Sequence, residues 1–527
     1  MQKPLLNDDE GNSSQDHSVN FKKVGLPFNF ILLVSASIAY GFIWSFIAIS
    51  KILSLNAFAF DLGVSSERGW VILHTNLGLH GYLLTFLNSG IVFPLSPLTG
   101  SGNFIAMVVF QAFSIAIIGP ALYFISRAKG LGNVTSLLVG SAFLLYFPAY
   151  GIMWFDFHYQ AFFFPLFILG YLSYLKEHHL VSFILFMLSG MVRFPYSIFP
   201  LAFALIELFL LFKFRKSGIH RGKLKVLVAL SVAMGLLTVT GAFYFGLLQS
   251  VPGTTSIVIP SLSDSFLQRV MVIALFLAPL LFLPVLSPRW IALTLPAFYL
   301  ILTSSYTGYS YQHIFQGQYV SGIAPFLLLG FIDCIVFIKN NKDRWTRPSL
   351  RNLPLGKVSN SFKLAVSSVL FLVLLNAVFA PFGPLNAISQ EGYNFHGNTS
   401  YNISQYDELT SMVSLIPVNQ SYVAVQNNIP EVLPRSMPLN NSEYLVSGFW
   451  SLEGVSLSYA TNNSWPVLIN GHLKDIPINY AIADTQNSNY NLGNISMASL
   501  IHTMISSGKY GIRSEGYGLI LVEWNYP

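Results

Sequence analysis

Eleven long apolar runs occupy most of the first 380 residues of this 527-residue chain. A helix needs about 20 mainly apolar residues to cross the hydrocarbon core of a bilayer. The runs therefore predict an all-α polytopic membrane bundle of about eleven transmembrane helices. They lie near residues 28–50, 104–126, 134–155, 161–175, 180–192, 195–212, 226–247, 268–286, 290–304, 319–338 and 363–380. Three of them, 161–175, 180–192 and 290–304, are short, so tilted or half-spanning hairpins stay open there.

The low charge content supports the membrane interpretation. Charged residues make up 9% of the chain, whereas soluble domains carry roughly a quarter. Such a surface cannot be kept in water, so most of it must face lipid. The single cysteine, Cys334, permits no intramolecular disulfide and no cysteine metal cluster. Nucleic-acid binding needs a basic stripe in polar surroundings, and the sequence contains none, so no nucleic-acid partner is expected.

The distribution of basic residues over the short loops predicts the orientation, because Lys and Arg concentrate on the cytoplasmic side. If the N-terminus is cytoplasmic, the alternating loops on that side hold most of the basic residues, with clusters in 213–225 and 339–357. Few fall on the opposite side: Lys51, Arg68, Arg193 and Arg269. We expect a multi-pass cell-membrane protein with three parts: a cytoplasmic tail at 1–27, a transmembrane domain at 28–380 and an extracytoplasmic domain at 381–527.

Residues 381–527, called the tail domain below, differ in composition from the rest. Four basic and ten acidic residues give them a net charge of −6, whereas the rest of the chain carries +12. Local patterns predict strands near 422–425, 480–483 and 518–522 and helices at 404–415 and 496–507. A small α/β domain is therefore expected. Its six Asn-x-Ser/Thr sequons are candidate glycan acceptors on the outer side.

Two pairs of residues beside the apolar runs are candidates for chemistry, because ionisable groups are costly in a membrane and are kept where they function. Asp61 and Glu67 follow the first run, where a carboxylate can accept a proton or bind a metal. Asp156 and His158 lie in a short loop, where they can ligate a divalent metal such as Mg²⁺ or Mn²⁺ or hold a phosphate. The structural alternatives are a solvated acid and a polar turn.

Three further charged residues lie near the ends of later runs. Arg193 occupies the outer turn between two short runs, where its planar guanidinium suits a phosphate or a carboxylate. The alternative is a structural ion pair, for which Asp156 is a candidate partner. Glu207 and Asp333 lie near the inner ends of their runs and are expected to snorkel towards water.

Five polar side chains are candidates to contact a substrate. His74 and His80 lie after the first run, in stretches that predict helices at the membrane interface. Tyr311, Gln312 and His313 belong to a later outer loop and combine an aromatic ring with amide and imidazole groups, which suits a sugar or a lipid head group. Anchoring at the interface is the alternative for the aromatic residue, and a structural role is the alternative for each histidine.

Three of these motifs resemble a prokaryotic membrane family known as domain of unknown function 2079. They are Phe60-Asp61-Leu62-Gly63, Asp156-Phe157-His158 and Arg193, and the similarity continues into the tail domain at 416–426 and 433–435. It extends over roughly residues 55 to 525. The family is grouped with the GT-C glycosyltransferases, which use sugars linked to lipid phosphates at the outer membrane face. In that fold an acid in the first external loop is the usual catalytic or metal-binding residue, and Asp61 occupies its place.

The resemblance implies a GT-C-like glycosyltransferase with a polyprenyl-phosphate-linked sugar as donor and a glycan, lipid or protein as acceptor. Asp61 is then the general base or the acid that positions the acceptor, supported by Glu67. Asp156 and His158 bind the phosphate or a metal, and Arg193 binds the donor phosphate. Such a reaction needs a base near the acceptor hydroxyl and a cation near the leaving phosphate, and the sequence places both on one side.

Two other functions stay open. A non-enzymatic lipid or polysaccharide transporter is expected to have polar residues at the middle of the membrane and broken helices in both halves of the chain. A structural or sensory membrane protein would use the tail domain to bind a partner. The concentration of polar residues at one face favours the enzyme.

Overall fold

The computed structural model describes most of the membrane part and about half of the tail domain. The described residues are 27–57, 62–74, 76–213, 221–248, 264–303, 314–316, 318–341, 360–379, 403–417, 423–426, 429, 464–469, 472–486, 491–492 and 495–527. Asp61, Tyr311, Gln312 and His313 lie outside them.

Sixteen helices make up the described membrane part, and each of the apolar runs overlaps at least one of them. They are α1 (Phe28–Leu53), α2 (Val64–His74), α3 (Gly78–Ser89), α4 (Val92–Thr99), α5 (Phe104–Ala116), α6 (Ile118–Ala128), α7 (Asn133–Leu144), α8 (Gly151–Trp154), α9 (Phe163–Leu175), α10 (His179–Gly190), α11 (Ile198–Lys213), α12 (Arg221–Leu248), α13 (Asp264–Leu277), α14 (Pro288–Thr303), α15 (Ala324–Asn340) and α16 (Asn360–Phe379).

Length and composition identify the candidates for membrane crossing. Within the described residues, four straight segments qualify: Phe28–Leu53, Phe104–Ala128, Arg221–Tyr244 and Asn360–Phe379. The number rises to six if each of two bent pairs is one span. A multi-pass helical membrane protein is thus confirmed, while the count of about eleven spans stays a prediction.

Two bends interrupt the first part of the bundle. Helices α3 and α4 meet at 96°, and α7 meets the segment Phe147–Trp154 at 47°. The first bend is fixed from outside, because the Ile91 amide at the start of α4 donates to the Met191 carbonyl at 3.1 Å. The second contains Pro148, which cannot donate the backbone hydrogen bond that a continuous helix requires.

Four charged side chains form a network at the end of the bundle where α6 stops. Arg289 lies 2.7 Å from the Glu207 carboxylate and 2.6 Å from that of Asp333, and Lys129 lies 2.6 Å from Asp333. The Trp290 indole also donates to Asp333. The prediction that Glu207 and Asp333 snorkel is therefore wrong. Cations from other helices satisfy both carboxylates inside the bundle, so neither needs to reach water.

A four-stranded sheet forms the centre of the described tail domain, in the order β1-β4-β8-β7. Strand β1 runs parallel to β4, and the other pairs are antiparallel. The predicted strands coincide with β1, β4 and β8, and the predicted helices with α17 and α18. The elements are α17 (Ile403–Ser414), β1 (Val423–Val425), β2 (Ser464–Ile469), β3 (His472–Pro477), β4 (Tyr480–Asp484), β5 (Asn491–Leu492), β6 (Ile495–Ser496), α18 (Met497–Ser506), β7 (Tyr510–Gly516) and β8 (Leu519–Trp524).

The tail domain packs directly against the membrane part. Its buried cluster of α17, β1, β4 and β8 side chains includes two residues from far earlier in the chain, Leu55 and Val64. Tyr406 on α17 contacts both this cluster and the core of the bundle. The tail domain therefore lies at the end of the bundle where α1 stops and α2 begins.

Candidate functional site

Glu67 is the most unusual of the described candidates. It lies in the first turn of α2 and is 1% exposed, and neither of its carboxylate oxygens has a hydrogen-bond partner among the described residues. Burial raises the pKa of this carboxyl well above its ordinary value, and the neighbouring Arg68 only partly opposes the shift. Burial thus favours the neutral form of Glu67, and a neutral carboxylic acid can donate a hydrogen bond or a proton.

The helix that carries Glu67 is fixed to the bundle on both sides of that residue. The Ser66 hydroxyl donates to the Thr99 carbonyl at 2.8 Å, and the Tyr159 hydroxyl donates to the Ser65 carbonyl at 2.8 Å. Two residues after Glu67, a Cβ atom on Gly69 would lie 2.1 Å from the Thr99 hydroxyl, so only glycine allows α2 to approach α4 this closely. Glu67 therefore cannot reach water without loss of these contacts.

Asp156 forms an ion pair with Lys51. The Lys51 ammonium lies 2.7 Å from the carboxylate and donates to the Trp154 carbonyl at 3.0 Å. The two side chains are 7% and 5% exposed. The described structure thus shows Lys51 as an ion-pair partner of Asp156, and a pair of Asp156 with Arg193 stays a prediction. No role was predicted for Lys51 from the sequence. Its position was the available indication, because Lys51 lies in the last turn of α1, on the side of the membrane where basic residues are few.

Gln111 fixes the backbone of the Asp-x-His motif. Its side-chain amide donates to the Ile152 carbonyl at 2.9 Å, and its side-chain oxygen accepts from the His158 amide at 2.8 Å. The Gln111 side chain is buried, and in the sequence it is a polar residue within the apolar run that forms α5. His158 itself is half-buried and its ring packs beside Phe155. The motif is thus held in place from α1 and α5 together.

Arg193 lies on an exposed turn that is tied to the α3–α4 bend. The Phe194 amide donates to the Asn88 carbonyl at 2.6 Å, and the Ser89 hydroxyl donates to the Val192 carbonyl at 2.6 Å. The Arg193 side chain is exposed, and no described acid forms an ion pair with it. Helix α4 leads from this bend to Thr99 beside α2, and its eight residues are roughly 12 Å long.

The two histidine candidates make contacts at the surface. His74 is exposed, stacks on Trp70 with ring centroids 4.5 Å apart, and lies 3.0 Å from the Trp70 carbonyl through Nδ1. His80 is exposed, and its Nε2 lies 2.9 Å from the Tyr244 hydroxyl on α12. Both positions are accessible from outside the bundle. Their role in substrate binding stays a prediction.

The described residues do not form a metal site by themselves. No group of three or more His, Cys, Asp or Glu side chains that could hold a metal occurs among them. The Asp156 carboxylate already binds an ammonium group, which competes with a cation for the same oxygen. Asp156 and His158, as arranged here with Lys51, do not fit a divalent metal.

Comparison with known proteins decides the family. The sequence matches the family described as predicted membrane protein DUF2079 over residues 64–521. The chain belongs to this family. The match begins at the first residue of α2 and ends in β8, so it covers the membrane part from α2 onwards together with most of the tail domain.

This DUF2079 protein is similar in structure to ArnT from Cupriavidus metallidurans, in the crystal structure of ArnT bound to undecaprenyl phosphate. The two sequences are 11% identical. The alignment covers 93% of this chain and 97% of that chain, with a TM-score of 0.43. No curated protein matches the sequence.

Proposed function

We propose that this DUF2079 protein is a GT-C-like glycosyltransferase that moves a sugar from a polyprenyl-phosphate donor to an acceptor at the outer membrane face. One observation carries the proposal. Glu67, a buried carboxyl without a hydrogen-bond partner among the described residues, lies on α2 beside the tail domain, and α4 connects α2 to the bend that holds the exposed cation Arg193. Glycosyl transfer from a phosphate needs both kinds of group.

The transfer has three coupled events. The bond between the anomeric carbon and the donor phosphate oxygen breaks, and its electron pair stays on the phosphate. The acceptor oxygen forms a new bond to the same carbon, and its hydroxyl proton passes to a carboxylate. Asp61 is proposed as that base because of its place in the family motif. Glu67, whose neutral form burial favours, would support it by donating its proton to the phosphate oxygen that leaves.

The leaving phosphate needs positive charge. Arg193 is proposed as its principal ligand, because its guanidinium is exposed and its fork can bind two phosphate oxygens at once. His158 and the pair of Asp156 with Lys51 would complete the phosphate side of the site. His74, His80, Tyr311, Gln312 and His313 are proposed to contact the sugar or the acceptor.

A transporter is the second candidate, and the two bent helix pairs favour it. Broken helices line the substrate site in many transporters, usually in both halves of the chain. Here both bent pairs that the described residues contain lie between Gly78 and Trp154, in the first half of the chain.

A vesicle assay with a purified lipid-linked sugar separates the two functions. The enzyme releases polyprenyl phosphate and a glycosylated acceptor, whereas a transporter changes the leaflet of the lipid and leaves it intact.

The orientation is proposed from the bias of basic residues, with the N-terminus in the cytoplasm and residues 381–527 outside. Protease added to intact cells should remove the tail domain and leave the basic segment 339–357 uncut, because the bilayer shields that segment. Cells permeabilised before digestion provide the control, in which both segments should be cut. Cleavage within 339–357 in intact cells would show that the orientation is reversed.

Arg193→Ala is expected to lower kcat/KM for the lipid-linked donor by about tenfold to hundredfold, since a hydrogen bond to a charged group contributes about 1.5–3 kcal/mol. Thermal stability should stay unchanged because the side chain is exposed. Arg221→Ala is the matched control, because Arg221 is also exposed but lies at the start of α12. Equal transfer kinetics in both variants would remove Arg193 from the donor site.

A further inference from the structure

The hydrophobic cluster of the tail domain contains two side chains from the membrane part. Leu55 is 1% exposed and Val64 is 8% exposed, and both pack with tail residues such as Leu409, Met412 and Ile416. These tail residues are each 0% exposed. The membrane part thus supplies apolar surface without which this cluster is incomplete. The tail domain is seated on the start of α2 rather than tethered to the bundle only by its linker.

Helix α2 is consequently held from two directions. Val64, its first residue, belongs to the tail cluster. The next two residues bond to the bundle, through the Ser65 carbonyl to Tyr159 and through the Ser66 hydroxyl to Thr99. Glu67 follows directly and lies one helical turn from Val64, which places the two on neighbouring positions of one helix face. Any shift of the tail domain on Val64 is therefore transmitted to the backbone of Glu67.

We propose that the tail domain is the positioning element of the candidate site: the cluster formed by α17, β1, β4 and β8 with Leu55 and Val64 sets the position of α2 and hence of Glu67. Binding of an acceptor to the tail domain would then be coupled to the arrangement of the site. The structural part of this proposal is independent of the reaction. Its catalytic consequence rests on the proposed function.

The test uses the full-length protein in lipid nanodiscs and follows hydrogen exchange of the α2 amides. Val64→Ala and Leu409→Ala each remove packing from one side of the shared cluster. Both should accelerate exchange across residues 64–74 by about tenfold or more, because cavity formation at a buried aliphatic residue weakens the packing that protects the helix. Should Leu409→Ala fail to fold, Leu409→Val makes a smaller cavity at the same position and is measured in the same way.

Leu500→Ala is the matched control. Leu500 on α18 is 0% exposed, like Leu409, but it does not belong to the shared cluster. Its replacement should accelerate exchange within the tail domain and leave α2 unchanged. The proposal is overturned if the Leu409 variants leave α2 exchange unchanged, or if Leu500→Ala accelerates it as strongly as they do.

Transfer kinetics add a second readout. Leu409→Ala should lower kcat while the KM for the lipid-linked donor stays within about twofold, since none of the proposed donor-phosphate ligands is a member of the tail cluster. Leu409→Met should restore the rate. Coupled exchange without any transfer by the wild-type protein would refute the proposed function and leave the positioning role intact. Sugar transfer by the wild-type protein without coupled exchange would support the proposed function and refute the positioning role of the tail domain.

Discussion

Glu67→Gln is expected to reduce the rate of sugar transfer by about 10² to 10⁴-fold, the range that a positioned acid or base contributes. Glutamine has nearly the same shape and can still donate a hydrogen bond, but it cannot take up or release a proton. Glu67 is buried and makes no hydrogen bond to any residue in the described part of the chain, so the change breaks no hydrogen bond seen there. Folding and expression should therefore be unaffected at neutral pH.

The same substitution has a predictable effect on the pH dependence of stability. Burial raises the pKa of Glu67 in the folded protein well above the ordinary value of 4.5. Between that value and the raised pKa, the folded state binds more protons than the unfolded state, so the free energy of unfolding decreases as pH rises. The amide that replaces the carboxyl in the variant does not titrate. The variant should therefore gain stability relative to the wild type as pH is raised from about 5 to 8.

Both effects can be measured on one preparation, by transfer assays and by thermal unfolding in detergent over this pH range. Glu177→Gln is a suitable control, because Glu177 pairs with Lys223 and its side chain is 42% exposed. That variant should change neither quantity. A Glu67→Gln protein that transfers sugar at the wild-type rate would contradict the proposed role, and one that loses stability across the whole pH range would assign Glu67 a structural role.

The helices were largely predictable from the sequence because their cause is local. A run of apolar residues such as 28–50 requires both a lipid environment and internal satisfaction of its backbone, and a helix meets both requirements. The strands β4 and β8 were predictable for a similar reason, as short β-branched and apolar runs between turns. The apolar length of a run does not by itself determine whether a helix crosses the membrane, which is why the number of spans was less secure.

The contacts that define the site depend instead on residues far apart in the chain. Lys51 and Asp156 are separated by 105 positions, and neither local pattern indicates the other. Asp333 was expected to snorkel because it lies near the inner end of its run, whereas Arg289 and Lys129 reach it from elsewhere in the chain. Glu67 was recognisable as an acid beside the first run. Its burial follows from the packing of α2 against α4 and the tail domain, which the sequence pattern does not contain.

Lys51→Met is expected to lower the free energy of unfolding by about 3–5 kcal/mol, the usual cost of removing one partner from a buried ion pair. The Lys51 and Asp156 side chains are 7% and 5% exposed, so the Asp156 carboxylate would stay in a poorly solvated place without its ammonium partner. Lys223→Met is the control for loss of a lysine. Its partner Glu177 is 42% exposed, and a pair of that kind contributes about 0–1 kcal/mol.

The double variant Lys51→Met/Asp156→Leu separates the structural role of the pair from its functional role. It removes both charges and fills the space with apolar groups, so most of the lost stability should return. If the pair serves the donor phosphate, the stable double variant should still transfer sugar at least about tenfold more slowly than the wild type, because the cation and the carboxylate near the leaving group are both gone. Recovery of stability together with full activity would show that Lys51 and Asp156 only connect α1 to the Asp-x-His loop, and Arg193 would then remain as the proposed phosphate ligand.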